Sequence, residues 1–358
     1  MMKKIISLII LSLTITITNA QFSLDLKVND KLIYDVSAGG ADYTFTLKIK
    51  SLKPGFNFAW QMTNEDGNYG SIQVSPTAMA TSKKMFNYFS RGTKKLTDAT
   101  SVMISKAAYK EIIKNKKVTL WDGEKKFLFE NPDETDFYFT INGEEKIVDA
   151  FYLSDANGND IVILKDTANP LILKMNIGWT IKLNTIVPAN KSKIDLSSFI
   201  DKKITEAKPL WDKLNKSSVT TIQDLTNVGV YSGPDIHQEY FSHIEGLWVK
   251  AHNDTVTDII YYPLAMTHSD HTYYGGDISI PQLSSFKFNR TQKKTFIKTK
   301  YIETSSYDTD IYEASNGNTM ELYYNVPIKT KEGIEFGVGS RSDAKIKQQL
   351  GFITFQKK

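Results

Sequence analysis

Runs in which apolar and polar residues alternate, each bounded by a tight-turn dipeptide, constrain this chain more than any other feature. In FTLKIKSL, the apolar Phe45, Leu47 and Ile49 share one face, and Lys48 and Lys50 share the other. KLIYDV and MELYYNV repeat the pattern. A period of two is what a half-buried antiparallel strand requires, so the sequence predicts a mainly β protein.

Between these runs stand dipeptides that tolerate the positive φ angles of hairpin turns. They are Asp66-Gly67, Asp122-Gly123, Asn142-Gly143, Asn157-Gly158 and Asn316-Gly317. The stretch DANGND mimics the start of a calcium loop, but Asp160 stands where that loop has glycine, and Asp166 stands where it has glutamate. We therefore interpret DANGND as a hairpin turn.

Two helices are predicted among the strands of the N-terminal half. TSVMISKAAYKEIIKN places Ile104, Ala108 and Ile112 four residues apart, away from the lysines, with Thr100 or Ser101 as the expected cap. A shorter helix is predicted to cover TAMATSKKMFNYF.

Composition and spacing divide the chain into four parts. Residues 1–20 are predicted to be a signal peptide, and residues 21–187 a β-rich domain with the shape of a bent sheet or half-barrel carrying a helical insertion. Residues 188–233 are polar and Lys-rich and are predicted to be a helical linker. Residues 234–358 hold eight or nine short strand patterns, typical of a small barrel or sandwich.

The linker carries one apolar stripe in an otherwise polar stretch. Leu196, Phe199 and Ile200 have the spacing of one helix face, and Pro209 favours two short helices over one long helix. We expect an ordered linker or a packed helical hairpin.

The N-terminus has the features of a secretory signal. Lys3 and Lys4 precede an apolar run, and the small residues Thr18 and Ala20 stand three and one before the expected new N-terminus, Gln21. We predict export, to the periplasm or out of the cell, with no transmembrane segment left after cleavage.

Composition excludes several function classes. The chain has no cysteine, which excludes disulfides, a lipoprotein anchor, thiol catalysis and cysteine-based zinc sites. The formal net charge of +4 favours neither nucleic acid nor an anionic membrane as a partner.

Three stretches of the N-terminal half carry a family resemblance. FAWQMTN (Phe58 to Asn64), LTDATSVMISK (Leu96 to Lys106) and NPLILKMNIGWTIKL (Asn169 to Leu183) together resemble an uncharacterised family of β-rich exported proteins from Gram-negative bacteria. More loosely, the layout is similar to the periplasmic DUF3108 domain and the LolA/LolB-like half-barrel. That resemblance implies an apolar groove able to hold a lipid or a peptide. In the second domain, Gly246-Leu247-Trp248 resembles the G-x-W at the start of lipocalin-like barrels.

The five histidines lie close together in the sequence, at His237, His243, His252, His268 and His271. Imidazole is the commonest transition-metal ligand, and His268 and His271, with His252, are the candidate metal ligands. Positions three apart on one extended strand point to opposite faces, so only a turn brings the first two together. The alternatives are a surface loop with unrelated histidines and a general base.

The other motifs do not predict a catalytic site. FGVGSRSD lacks the G-x-S-x-G spacing of a nucleophile elbow, and PDETD is interpreted as a solvated loop. The pairs Tyr261-Tyr262, Tyr273-Tyr274 and Tyr323-Tyr324 put one ring on each strand face. We expect these rings to pack between strands, with a platform for sugars or proteins as the alternative. The sequence shows no catalytic or cofactor-binding motif.

These observations favour an exported, non-enzymatic binding protein of the cell envelope that holds an apolar or extended ligand in a sheet groove. The expected partner is a lipid or other apolar ligand, or a cell-envelope protein. The alternatives are a metal-dependent hydrolase that uses the second-domain histidines, and a structural or adhesion module.

Overall fold

The structure, a computed structural model, describes residues 24–63, 68–189, 194–211, 213–214, 219–223, 236–263, 265–268, 271–276, 287–298, 303–313, 319–325, 328–330, 333–335 and 349–356. The predicted signal peptide and the FGVGSRSD glycines lie outside these ranges. No helix within them is both long and apolar enough to cross a membrane.

The first module, residues 24–189, is mainly β, as predicted. Its strands are β1 Lys31–Ala38, β2 Ala41–Ser51, β3 Phe56–Met62, β4 Tyr69–Val74, β5 Lys84–Met85, β6 Gly92–Leu96, β7 Ala99–Thr100, β8 Lys117–Trp121, β9 Lys126–Ile141, β10 Glu144–Ser154, β11 Asp160–Leu164, β12 Ile172–Asn176 and β13 Thr180–Val187. Helices α1 Pro76–Thr81 and α2 Lys106–Asn115 interrupt them.

These strands form a single predominantly antiparallel sheet. Over the described residues its order is β6-β4-β3-β2-β1-β13-β12-β11-β10-β9-β8-β5-β7. A short parallel pairing of β13 with the end of β9, Thr185 with Thr140 and Ile186 with Ile141, closes β9 to β13 into a ring. The sheet is therefore strongly curved, which satisfies the backbone groups that a flat edge would leave open.

The core follows the alternation predicted from the sequence. Phe45, Leu47 and Ile49 of β2 are buried, and Trp60 of β3 is buried in the same apolar cluster. Burial of these large side chains is the main favourable contribution to folding of the module.

Helix α2 lies where the apolar spacing places it, but its cap differs from the expectation. Ser105, rather than Thr100 or Ser101, is the N-cap, and its hydroxyl accepts a hydrogen bond from the Ala108 N–H at 3.1 Å. Ile104 is buried just ahead of the helix. The apolar spacing located the helix face, while the choice among three neighbouring hydroxyl residues depended on where the chain leaves the extended conformation.

Two of the predicted turns show their chemistry directly. Asn142 and Gly143 have φ angles of 53° and 83° in the two-residue hairpin between β9 and β10. In DANGND, the Asp155 carboxylate accepts hydrogen bonds from the backbone N–H groups of Asn157 and Asn159. That carboxylate is used to hold the turn, in line with the hairpin interpretation. PDETD, expected as a loop, is instead an exposed part of β9.

Strand β10 changes the face that it buries part-way along its length. Val148 and Ala150 are buried in its first half, and Phe151 and Leu153, on the opposite face, are buried in its second half. Tyr109 of α2 contributes to this switch, because its ring lies 6.2 Å from that of Phe151.

The second module, residues 194–356, holds another antiparallel sheet. Its strands are β14 Val219–Gln223, β15 Ile236–Ser242, β16 Leu247–His252, β17 Thr255–Tyr261, β18 Ala265–His268, β19 His271–Tyr274, β20 Lys287–Lys298, β21 Glu303–Glu313, β22 Thr319–Asn325, β23 Ile328–Thr330, β24 Gly333–Glu335 and β25 Gln349–Gln356. In the part of the chain that is described, eight of them pair in the order β14-β15-β16-β17-β25-β22-β21-β20, and β18-β19 and β23-β24 are separate hairpins.

The linker packs against this sheet. A short 3₁₀ helix, Leu196–Phe199, and helix α3, Lys208–Trp211, are the two short helices expected around Pro209. The predicted stripe of Leu196, Phe199 and Ile200 is buried in one cluster with side chains of β15, β16, β17 and β25. The linker is therefore a covering layer of the second module. Strand β14 lies inside the segment assigned to the linker, so the sheet begins earlier in the chain than we expected.

Candidate functional site

A pocket lies in the first module between β1, β12 and β13 and the segment that follows β5. Its lining is mostly apolar, and the residues that form its floor and walls are Tyr34, Val102, Ile172, Met175, Trp179 and Ile181. Strand pairing places these side chains together, because β13 pairs with both β1 and β12.

The hydroxyl groups of the lining are already satisfied within the protein. The Tyr34 hydroxyl donates to the carbonyl oxygen of Ile172 at 3.2 Å, and the Ser101 hydroxyl donates to the carbonyl oxygen of Phe86 at 3.0 Å. Burial raises the pKa of Tyr34 far above its usual range, so this phenol stays neutral. The pocket therefore offers a ligand apolar contact rather than a proton donor or a nucleophile.

The pocket is small. Its volume is about 30 Å³, whereas one water needs about 10–15 Å³ and an engineered apolar cavity that binds benzene has about 150 Å³. On that scale, about 25 Å³ for each benzene carbon, it can seat about one terminal carbon of an apolar chain, and it is too small for a whole lipid.

One wall of the pocket is the mouth segment, which we define as Phe86–Arg91 and which has no regular secondary structure. Phe86, Asn87 and Phe89 line the pocket, and Tyr88 is 75% exposed. Lys94 Nζ lies 5.9 Å from the centre of the Phe86 ring, which puts a positive charge beside this wall.

The backbone brings two of the candidate metal ligands together. His268 and His271 are directly opposed partners in the β18–β19 hairpin, and His237 and His252 are opposed partners in β15 and β16. The sequence allows His268 and His271 to meet only if the chain turns between them, and their antiparallel pairing agrees with that alternative.

This pairing does not amount to a metal site in the described part of the chain. There, no group of three or more potential histidine, aspartate or glutamate ligands comes together. His252 Nε2 lies 3.3 Å from the Asn253 side-chain amide, and His243 lies in an aromatic stack described below. The tyrosines of Tyr261-Tyr262 and Tyr273-Tyr274 are buried, in agreement with packing between strands.

Sequence reasoning did not find the pocket. Its lining comes from five separate stretches of the chain, and three of them lie within LTDATSVMISK and NPLILKMNIGWTIKL, which carry the family resemblance. No spacing in the sequence joins these stretches to MFNYF, which covers Phe86–Phe89 of the mouth segment and which the sequence predicts to be helical. Helix α1 ends at Thr81, before that stretch begins.

Comparison with protein-family models, with curated proteins and with solved structures finds no match for this chain.

Proposed function

We propose that the chain is an exported, non-enzymatic binding protein that takes the end of an apolar chain into the first-module pocket. The observation that carries the proposal is a lining in which both hydroxyls are satisfied internally and most other side chains are apolar. Export is proposed on the signal-peptide pattern of the first twenty residues.

The size and surroundings of the pocket define the ligand class. Because the pocket seats only about one carbon, most of the ligand would lie outside it, along the mouth segment. A positive charge at Lys94 favours a ligand with an anionic or polar end at the mouth. A single-chain amphiphile, such as a fatty-acid carboxylate, has this combination.

The proposal is tested by calorimetric titration of the purified protein with hexanoate, octanoate and decanoate. Each buried methylene contributes about 0.8 kcal/mol, or about fourfold in affinity. Hexanoate is already longer than the pocket, so we expect affinity to rise with chain length only while added methylenes contact the mouth segment, and then to level off.

The matched variants are Val102→Phe and Val28→Phe. Val102 is buried in the pocket wall, and Val28 is 46% exposed on the surface, so the same added ring fills the pocket in only one of them. We expect Val102→Phe to lower decanoate affinity at least about tenfold and Val28→Phe to leave it unchanged. Absence of decanoate binding, or equal binding by the wild type and Val102→Phe, would overturn the proposal.

A further inference from the structure

The second module covers part of the first sheet on the side opposite the core. Lys48 and Lys50, on the polar face of β2, reach backbone carbonyl oxygens of the second module. Lys48 Nζ donates to Ile244 at 3.4 Å, and Lys50 Nζ donates to Gly275 at 3.3 Å. A small apolar cluster lies beside them and joins Ala59, Tyr69, Ile244 and Tyr274. We call this contact the docking interface.

A buried carboxylate is at the centre of the docking interface. Glu245 is 2% exposed, forms an ion pair with Lys31, and has its Oε2 atom 3.8 Å from Lys48 Nζ. Lys48 is fully buried. Removal of one member of such a group leaves an uncompensated buried charge, so docking depends strongly on Glu245.

An aromatic stack crosses the same interface. The rings of Tyr69 in the first module and His243 in the second are stacked with centroids 3.4 Å apart, and Tyr273 lies 5.4 Å beyond His243. His243 Nδ1 donates to the carbonyl oxygen of Thr272 at 3.0 Å, which fixes the ring plane. The position of Tyr69 is thus set by a group of the second module.

The stack ends at the mouth segment of the pocket. The guanidinium of Arg91 lies 5.4 Å from the centre of the Tyr69 ring, at the last residue of that segment. Two residues earlier, Phe89 lines the pocket and packs against Trp60, with ring centroids 5.3 Å apart. A contiguous set of contacts therefore runs from His243 through Tyr69 and Arg91 to the wall of the pocket.

We infer that docking of the second module controls the mouth segment, and through it the access of ligands to the pocket. With the module docked, His243 holds Tyr69 in place, Tyr69 holds Arg91, and the segment stays closed. With the module undocked, Tyr69 loses its stacking partner and the segment opens more often. Docking and ligand binding are then coupled, and the coupling acts in both directions. The part about ligands rests on the proposed function, whereas the part about the segment does not.

The test is hydrogen–deuterium exchange of the whole protein, which needs no ligand. The variant Glu245→Ala removes the buried carboxylate. We expect exchange to accelerate at least about tenfold in peptides that cover the docking turn, residues 243–246, and in those that cover residues 86–91. Peptides of the turn between β10 and β11, residues 154–160, which contribute no residue to the docking interface or the mouth segment, should not change.

Two further variants keep the test decisive if Glu245→Ala perturbs folding. Arg91 is exposed, so Arg91→Gln leaves the core intact and should accelerate exchange of residues 86–91 by about two- to fivefold without affecting residues 243–246. Glu134→Ala removes a carboxylate from the exposed pair with Lys165 and should change neither region.

Two outcomes would overturn the coupling: loss of protection at residues 243–246 with unchanged exchange at residues 86–91, or no effect of Arg91→Gln. Addition of decanoate gives a separate result. If decanoate binds the wild type and protects residues 243–246, the coupling extends to the ligand, and if it binds without protecting them, that extension is wrong. Failure of decanoate to bind at all would overturn the proposed function and leave the exchange result standing.

Discussion

The pocket and the docking interface are both buried, but the pocket is mainly apolar, whereas the interface contains charged and aromatic groups. The pocket is lined by apolar side chains around hydroxyls that are satisfied internally, such as that of Tyr34. The docking interface buries Glu245 among lysines of the other module and places His243 on Tyr69.

The pocket and the docking interface should respond differently to substitution. Apolar contact is non-directional and roughly proportional to buried area, so the pocket should change gradually with the size of its side chains. A buried charge is costly unless its partners are in place, so the interface should depend on single groups.

Replacement of Glu245 by alanine should give the largest effect. The amines of the buried Lys48 and the partly buried Lys31 lose their carboxylate, and the free energy of unfolding should fall by about 3–5 kcal/mol. Urea unfolding followed by tryptophan fluorescence measures the change. The exposed pair of Glu134 and Lys165 is the control, and Glu134→Ala should cost less than about 1 kcal/mol. Similar losses for both variants would remove the contrast.

Acid should weaken the interface before it weakens the pocket. Burial alone would raise the pKa of Glu245, but the charges of Lys31, Lys48 and Lys213 outweigh it and lower the pKa from 4.5 to about 2. A carboxyl whose pKa is lower in the folded state stabilises fully above about pH 4.5, and this contribution is lost as the pH falls towards 2.

The loss amounts to about 3 kcal/mol over that window. Exchange at residues 243–246, measured at a series of pH values and corrected for the intrinsic rate, reports it. The variant Glu245→Gln has no titrating group at this position and should lose this part of the pH dependence. An equal acid response in the variant would show that other groups are responsible.

Gly246 tests how tightly the docking turn is packed. Its φ angle is 67°, and a Cβ atom there would lie 2.3 Å from the carbonyl oxygen of Tyr262. Gly143 also has a positive φ angle, 83°, but a Cβ atom there would contact nothing. The variant Gly143→Ala therefore measures the cost of backbone strain without a clash. We expect Gly246→Ala to lower the free energy of unfolding by about 1–3 kcal/mol more than Gly143→Ala does, as measured in thermal or urea unfolding. The reason is that the clashing atom belongs to the backbone, which cannot move aside as a flexible side chain can. Equal costs would show that the turn can yield.

The smallest effect should come from trimming the pocket. Ile172→Val should cost about 0.5–1.5 kcal/mol of stability, and so should Ile72→Val in the core of the same module. Only the first enlarges the pocket, so only the first should change the affinity for decanoate. A change in decanoate affinity in both variants, or in neither, would show that decanoate does not bind in the pocket.

The sequence was sufficient for most of the local structure. Alternation in FTLKIKSL placed Phe45, Leu47 and Ile49 in the core, and Asn142-Gly143 marked a hairpin. The stripe through Leu196 and the proline at 209 anticipated two short packed helices. These signals are local, since each depends on residues within one turn or one strand.

The pocket and the docking interface depend on contacts between distant parts of the chain. Lys48 was expected to face solvent, because it alternates with core residues, and a second module 196 residues further along buries it. No residue near Lys48 in the sequence indicates that another module will bury it. The spacing of His268 and His271 could not decide their pairing, because a strand and a hairpin give opposite answers for the same spacing.

The change of buried face along β10 determines which substitutions this strand should tolerate. Because it buries Val148 and Ala150 on one face and then Phe151 and Leu153 on the other, tolerance to substitution should reverse its phase at that point. A saturation-mutagenesis profile along the strand should show sensitive even-numbered positions, then two sensitive neighbours, then sensitive odd-numbered positions. Deletion of one residue near Ala150 would shift the alternation of one half of the strand, so that the apolar residues of both halves would share one face. In a strand that buries one face throughout, the same deletion would instead put the two halves on opposite faces.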